Sequence, residues 1–286
     1  MDLFEKDVTA SWPQTVHPQL HVGTSGWAYP DWVGPFYPPG TRAADMLRVY
    51  TRAFPTVEVD STFYAIPAEP VIRSWRERVP EGFVFALKIP QEITHEKRLI
   101  GVEQLLHRFC GRASVLGTAV GPLLLQLSPE FHPTGANRDA LRGFLELLPI
   151  RFRWAIEFRH PGWLDAETLD LLRASGVALA LADSRWIKRG IVLELAIEPT
   201  ADFAYVRWMG EQRRITDFSH VQIDREAELS AWVQALEGLA SRVQTIYGYF
   251  NNQYQGHSPE SARAMQQLLG QAVVAPEMLL EQVELF

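Results

Sequence analysis

The chain holds one cysteine, Cys110, so no disulfide can close within it. Its cysteines and histidines never fall at structural-zinc spacing, and neither an HxH nor an HExxH pattern occurs. Basic charge is also in deficit, with 27 Lys and Arg against 34 Asp and Glu for a formal net charge of −7. That balance excludes a protein that coats nucleic acid with its whole surface, although it leaves room for a local basic site. No apolar run approaches the roughly 20 residues of a membrane span. Residues 1–7 lack the basic segment and apolar stretch of a secretory signal. Together these absences lead one to expect a reduced, cytoplasmic protein without a membrane partner.

Apolar and aromatic material is plentiful: 47% of the residues are hydrophobic and nine are tryptophan. Apolar runs recur at 20–24, 56–60, 83–89, 122–128, 153–158, 177–182, 203–208 and 244–250. Segments with helical spacing or helix formers separate them at 43–54, 70–78, 102–116, 137–148, 166–175, 225–239 and 259–269. The connection at 183–202 is the least helical of the set. Eight strands alternating with helices predict a parallel sheet closed into a single-domain (β/α)8 TIM-type barrel over residues 20–270. A Pro-rich, polar arm (1–19) precedes it and a tail (271–286) follows. In such a barrel the loops after the strands form the active face. Here those loops carry the Trp, Tyr, Arg and His residues, as in 25–32 and 61–64.

Side chains alternate along a strand, so the residue sharing parity with the interior at each carboxyl end can be read directly. The result is polar nearly everywhere: Ser25, Glu58 with Asp60, Lys88, Gln126, Glu157 and Arg207, with Asp183 directly after the sixth strand and Asn251 after the eighth. Apolar barrel layers need no such ring, and an unpaired buried charge costs on the order of several kcal/mol. These groups must therefore pair with one another as a salt-bridge network, or await a ligand. Glu58 and Glu157 facing an open pocket would favour an enzyme. A mouth closed by Trp27 and Phe63 over fully paired charges would favour the network.

The loop histidines His95 and His160 are candidate proton carriers near neutral pH. With Glu58, Glu157 and Asp183 they are also a conceivable divalent-metal set, without supporting spacing, and no cofactor is evident. The first-loop aromatics could stack a sugar or a base. Arg159, Arg185, Lys188, Arg189, Arg207, Arg213 and Arg214 follow strands five to seven, which predicts a basic active face and an anionic ligand.

Several ordered motifs carry a family resemblance. They are Gly23-Thr24-Ser25-Gly26-Trp27 with Tyr29 and Trp32, Glu58 with Thr62-Phe63-Tyr64, Lys88 with Thr94-His95, and Gln126. Glu157 with Arg159-His160 and Trp163, Asp183, Arg207 with Gly210, and Phe250-Asn251-Asn252 continue the series. Over about residues 21–269 the chain resembles the YecE-like family, also called domain of unknown function family 72. The resemblance implies a TIM-type barrel and brings no settled activity. Where the family pattern after the seventh strand usually reads Arg-x-His-Gly, this chain has Arg207-Trp208-Met209-Gly210, so an imidazole is missing. Gly162 stands where Ser often precedes the Trp, and Ser261 where Asn is common.

The residue readings assign Glu58, Glu157, Lys88 and His160 to catalysis. They place Ser25, Trp27, Tyr64, His95, Gln126, Arg159, Asp183, Arg207, Asn251 and Asn252 around the ligand. The favoured function is an acid–base enzyme, for example a hydrolase, acting on a phosphate-bearing or nucleic-acid-derived ligand. A carbohydrate-active hydrolase is the variant suggested by paired carboxylates and aromatics, against which stand Gln126 and Arg207 on strands four and seven. The tail ends in Gln282-Val283-Glu284-Leu285-Phe286, which resembles the bacterial sliding-clamp-binding motif. Leu285 and Phe286 would fill an apolar groove and Gln282 would bond at its edge, making the protein a nucleic-acid-associated binding module. Met278, Leu279, Val283 and Phe286 equally fit an amphipathic helix packed on the barrel.

Overall fold

The computed structural model describes residues 20–211 and 215–280. The expected arm, Arg213 and Arg214, and the motif residues Gln282, Leu285 and Phe286 lie outside the described residues. Eight parallel strands close into one barrel in sequence order: β1 (Leu20–Ser25), β2 (Thr56–Val59), β3 (Val84–Lys88), β4 (Val120–Gln126), β5 (Trp154–Glu157), β6 (Ala178–Ser184), β7 (Phe203–Gly210) and β8 (Thr245–Phe250). Each is short and matched within a few residues by the alternation of the sequence; β1, β2, β7 and β8 are rich in β-branched or aromatic residues, whereas β4 and β6 are built mainly of Leu and Ala. The helices are α1 (Ala43–Ala53), α2 (Glu69–Glu77), α3 (Glu103–Ala113), α4 (Gly135–Glu146), α5 (Ala166–Ala174), α6 (Arg189–Leu195), α7 (Glu226–Ala240) and α8 (Ser258–Leu268). The connection expected to be least helical thus carries a short helix, α6.

Two apolar layers result. The outward residues of the strands pack against the helices in one large cluster. The interior holds a second one, in which Ala86, Ala155, Ala178 and Ala180 on β3, β5 and β6 pack with Phe203, Tyr205, Tyr247 and Tyr249 on β7 and β8. The large rings fill the space that the alanines leave, as close packing requires. Their hydroxyls are all partnered: Tyr249 with the Thr56 hydroxyl at 2.8 Å, Tyr205 donating to Glu58 at 2.7 Å, and Tyr247 accepting from Arg153 Nη1 at 2.7 Å. Gly23 is required where β1 meets β2, because a Cβ there would run into the Thr56 carbonyl.

Side-chain caps fix the starts of two outer helices, α4 and α5. Thr134 accepts from the Asn137 amide at the start of α4. Asp165 accepts from the Thr168 amide at the start of α5 and is itself gripped by Arg138. After the barrel, a helical turn, α9 (Pro276–Leu280), buries Leu279 in the outer core, and Gln271 donates to the Leu20 carbonyl at 3.1 Å. The described part of the tail therefore packs on the barrel. No helix among the described residues is long and apolar enough to cross a membrane.

Candidate functional site

The carboxyl ends of β2, β3, β4, β5 and β7 do converge, and register explains part of this. Ser25 is level with Glu58, Glu58 with Ala86, Lys88 with Leu124, Gln126 with Glu157, and Ala182 with Arg207. Of these, only Ser25 with Glu58 and Gln126 with Glu157 are polar pairs in register, and hydrogen bonds through Arg207 join them into one layer above the interior aromatics. Arg207 is its centre and has no exposed surface. Its Nε and Nη2 donate to the two oxygens of Glu58 at 2.8 and 2.7 Å, and Nη1 donates to Glu157 at 2.5 Å.

Glu58 is saturated. Ser25 Oγ donates to one oxygen and Tyr205 OH to the other, beside the two bonds from Arg207. Glu157 accepts from Arg207 on one oxygen and from Arg159 Nε, at 3.0 Å, on the other. Arg159 Nη2 also donates to Gln126 Oε1 at 2.6 Å. Burial alone would raise the Glu157 carboxyl, but the Arg207 and Arg159 guanidinium groups outweigh it and hold it at about 2. Burial works against the Arg207 charge, and Glu58, Glu157 and Asp60 overcome it, so Arg207 rises well above its ordinary value. A carboxylate held this low is a fixed charge and does not carry protons near neutral pH. Glu157 thus loses the proton-carrying role expected from the sequence and anchors the two arginines, while Glu58, with both oxygens taken up by Ser25, Tyr205 and Arg207, anchors Arg207.

The other side of the layer is open. A cavity of about 390 Å³ lies above it, with Asp60, Lys88, Gln126, Arg159 and Arg207 on its floor and Tyr64, Arg185 and Trp186 among its walls. Lys88 is only 8% exposed. Its Nζ sits 4.0 Å from the centre of the Phe63 ring and 3.7 Å from Asp60 Oδ1, beyond hydrogen-bond length. Asp60 Oδ1 lies equally far from Arg207 Nη2 and, although buried, takes no hydrogen bond. Burial pushes the Lys88 ammonium below its ordinary value, with Asp60 opposing and the Arg207 charge adding to the fall.

One turn of 3-10 helix, Asp60–Phe63, sets up this corner. Its Thr62 hydroxyl donates to the Lys88 carbonyl at 2.7 Å and accepts from the Lys88 amide at 3.1 Å. The clamp brings Asp60 and Phe63 to either side of the amine. On the far wall Gly210 has φ +73°, and a Cβ there would strike the Gln253 carbonyl, so only glycine lets the end of β7 close against the loop after β8.

Other sequence-assigned residues divide. Tyr64, 74% exposed, stands at the cavity rim and Asn251 in its wall. Ser25 reaches the layer through Glu58. His95 lies half-buried against the Phe63 ring, 5.1 Å between centroids, where burial and the Arg159 and Lys88 charges lower its pKa.

Four residues do not belong to the cavity. Asp183 sits on the outward side of β6, where its carboxylate accepts from Arg189 Nε at 2.7 Å and Trp232 Nε1 at 2.9 Å. Trp27 packs edge-on against Trp75 at 5.6 Å, between barrel and helix. Asn252, buried, accepts from the Ser258 amide and hydroxyl at the head of α8 and from Trp32. His160 takes the Gly162 amide on Nδ1 and lies against His132, capping the turn Pro161–Trp163. With Asp183 and His160 turned away, the acidic and imidazole groups weighed as metal ligands do not converge, and no group of three or more such side chains does so among the described residues. Trp163, at the end of the 157–163 stretch, stacks between Phe131 and Phe158.

Sequence reasoning missed Ser184, Trp186, Glu211 and Gln253 in the cavity wall. Ser184 shares the inward parity of Ala180 and Ala182 and was findable, whereas the other three sit at strand ends or in loops without a periodic signal. Met209 also lines the wall, so a thioether faces the cavity where the resembled pattern has an imidazole. Of the expected basic cluster, Arg159, Arg185 and Arg207 line the cavity, while Arg189 is held by Asp183.

Comparison with known proteins agrees with this architecture. The family model described as "Protein of unknown function DUF72" matches residues 21–282. The Escherichia coli K12 protein named UPF0759 protein YecE is 33% identical over 171 residues, covering 58% of this chain and 60% of the relative, so the match spans about three fifths of that protein's length. The Bacillus subtilis UPF0759 protein YunF is 24% identical over 272 residues, 87% of this chain and 94% of the relative. A crystal structure of a DUF72 family protein from Thermotoga maritima superimposes with a TM-score of 0.75 at 26% identity, covering 88% of this chain and 99% of that one. One from Enterococcus faecalis gives 0.71 at 19% identity, over 89% and 98%, which is a likeness of fold alone.

Proposed function

The chain belongs to the DUF72 family, whose description names no activity, and from the site itself we propose an enzyme that binds a small phosphate- or carboxylate-bearing ligand and carries out acid–base chemistry on it through Lys88 and Asp60. One observation carries this reading. An amine and a carboxylate oxygen are buried side by side at the cavity floor, 3.7 Å apart, and the oxygen has no hydrogen bond. Buried polar groups left unpaired cost on the order of 1–3 kcal/mol each, and a ligand entering the cavity supplies the missing partners. An amine whose pKa is lowered by burial moves toward the range in which it exchanges protons near neutrality.

The ligand class follows from the walls. Arg159 spends Nε and Nη2 on Glu157 and Gln126, and its Nη1 takes no partner among the described residues. Arg185, stacked on Trp186 with 4.3 Å from guanidinium to ring, adds a second cation at the rim. A guanidinium with a free edge recognises a carboxylate or phosphate. The volume of about 390 Å³ suits a small molecule. A glycoside-hydrolase mechanism is disfavoured, because both carboxylates it would use, Glu58 and Glu157, are tied to Arg207.

The test is a binding screen of phosphate- and carboxylate-bearing metabolites by calorimetry, with Arg185→Gln and Lys88→Met beside the unmodified protein. Binding weakened about 10-fold or more by either change is expected. If no such ligand binds, or if both variants bind as tightly as the parent, the cavity is not an anion site.

A further inference from the structure

Lys88 combines features that an electrostatic role does not require. An ammonium that only attracts anions works best exposed or hydrogen-bonded, as a point charge in reach of its ligand. Here the amine is sunk in the floor, roofed on one side by the face of Phe63, and it stands clear of its nearest described carboxylate by 3.7 Å. The Thr62 clamp fixes its backbone, so the side chain leaves the end of β3 in a set direction. Arg207, 3.7 Å from the same Asp60 oxygen, adds positive charge nearby. Burial of the stem in an apolar setting beside another cation is the arrangement that turns a lysine into a nucleophile.

We propose that Lys88 is a covalent nucleophile, forming an imine with the carbonyl carbon of a small aldehyde or ketone whose carboxylate or phosphate is held by Arg159 and Arg185. This rests on the reading of the cavity as an anion-binding acid–base site and names the substrate class within it. The step balances with Asp60 as the proton carrier. The Asp60 carboxylate takes a proton from the Lys88 ammonium, and the free amine adds to the carbonyl carbon, forming the C–N bond while the π pair moves to oxygen. A proton passes from nitrogen to that oxygen, giving the carbinolamine. The Asp60 carboxyl then returns its proton to the hydroxyl, the C–O bond breaks, water leaves, and the nitrogen lone pair completes the protonated imine. The ammonium and carbonyl have become an iminium and water, with the Asp60 carboxylate restored. The iminium makes the adjacent carbon acidic, which is what an acid–base pocket can exploit.

The chain makes the test clean, because only four of its 27 basic residues are lysine: Lys6, Lys88, Lys97 and Lys188. The full-length protein is incubated with pyruvate in one arm and dihydroxyacetone phosphate in the other, each with cyanoborohydride, and the reduced adduct is located by peptide mass mapping. Binding of the same two probes is measured by calorimetry without reductant. The expected result is one adduct, at Lys88, in whichever arm binds, absent in Lys88→Arg and formed about 10-fold or more slowly in Asp60→Asn. Because Lys88 is located directly in the unmodified protein, the outcome does not depend on how well a variant folds. A probe that binds, is weakened by Arg185→Gln, and leaves Lys88 unmodified overturns the covalent step and spares the anion site. Labelling confined to the other three lysines overturns it as well. Failure of both probes to bind overturns the inference, while the wider metabolite screen decides the reading beneath it.

Discussion

The polar layer at the mouth of the barrel has two sides that use the same chemistry to opposite ends. On one side Arg207 grips Glu58 and Glu157, every oxygen of these two carboxylates has at least one donor, and neither carboxylate is left to act on a ligand. On the other, Lys88 and Asp60 face each other across 3.7 Å with their hydrogen bonds unmade. The difference is one of geometry. A planar guanidinium can reach two carboxylates at once, with fork geometry on Glu58, whereas a lysine at the end of β3 meets a carboxylate presented by a short turn and held just out of reach. A salt-bridge network and a ligand site therefore coexist in one ring, the first acting as the rigid base on which the second is built.

Substituting the two cations should break the comparison most sharply. Arg207→Met leaves Glu58 and Glu157 buried without their partner and is expected to cost about 3–5 kcal/mol, read as a fall in the denaturant midpoint. Lys88→Met removes an ammonium that burial already disfavours and is expected to change stability by no more than about 1 kcal/mol in either direction. Equal losses for both would mean that Lys88 belongs to the same structural network as Arg207 and that the open side of the ring does not exist as drawn.

The acid limb of stability gives a second, smaller separation. The Glu157 carboxyl is held at about 2 against an ordinary value of 4.5. A depressed carboxyl stabilises the fold above its unfolded value, and that contribution is lost as pH falls from about 4.5 toward 2. Linkage puts the loss on the order of 3 kcal/mol. Denaturation curves at stepped pH should therefore show the parent losing its advantage over Glu157→Gln through that window. A difference between the two that stays constant from pH 7 to pH 2 would mean that Glu157 is not held by the arginines.

Strand parity made most of this ring legible in advance. Glu58, Lys88, Gln126, Glu157 and Arg207 each follow from one rule, because alternation in a closed barrel leaves a side chain only two directions. Asp183 escaped it for an identifiable reason. The apolar run of the sixth strand ends at Ala182, which places Asp183 in the loop, whereas β6 runs to Ser184 and puts Asp183 outward with Leu181. Continuing parity past Asn251 would have separated it from Asn252 in the same way. Pairing, in contrast, is not written in alternation. Which carboxylate Arg207 grips depends on strand stagger and on rotamers across the barrel, and that decides whether Glu157 is a proton carrier or an anchor. The loops were the least legible, since Trp27 and Trp186 look alike in sequence and only the fold sends one beneath α2 and the other to the cavity wall.

His160 supplies the finest test, because sequence and structure disagree about it by the width of one loop. It follows Glu157 by three residues, and it resembles a proton shuttle in every local respect. Yet its Nδ1 is committed to the Gly162 amide at 3.1 Å and its ring lies 4.4 Å from that of His132, outside the residues lining the cavity. A side-chain cap of this kind contributes about 1 kcal/mol. His160→Ala should therefore lower stability by about that amount and leave the affinity and turnover of any cavity ligand within about 2-fold of the parent. Loss of activity at unchanged stability would show that the loop after β5 closes over the ligand, moving the imidazole from the outer turn to the reacting side and extending the open half of the ring to a third strand.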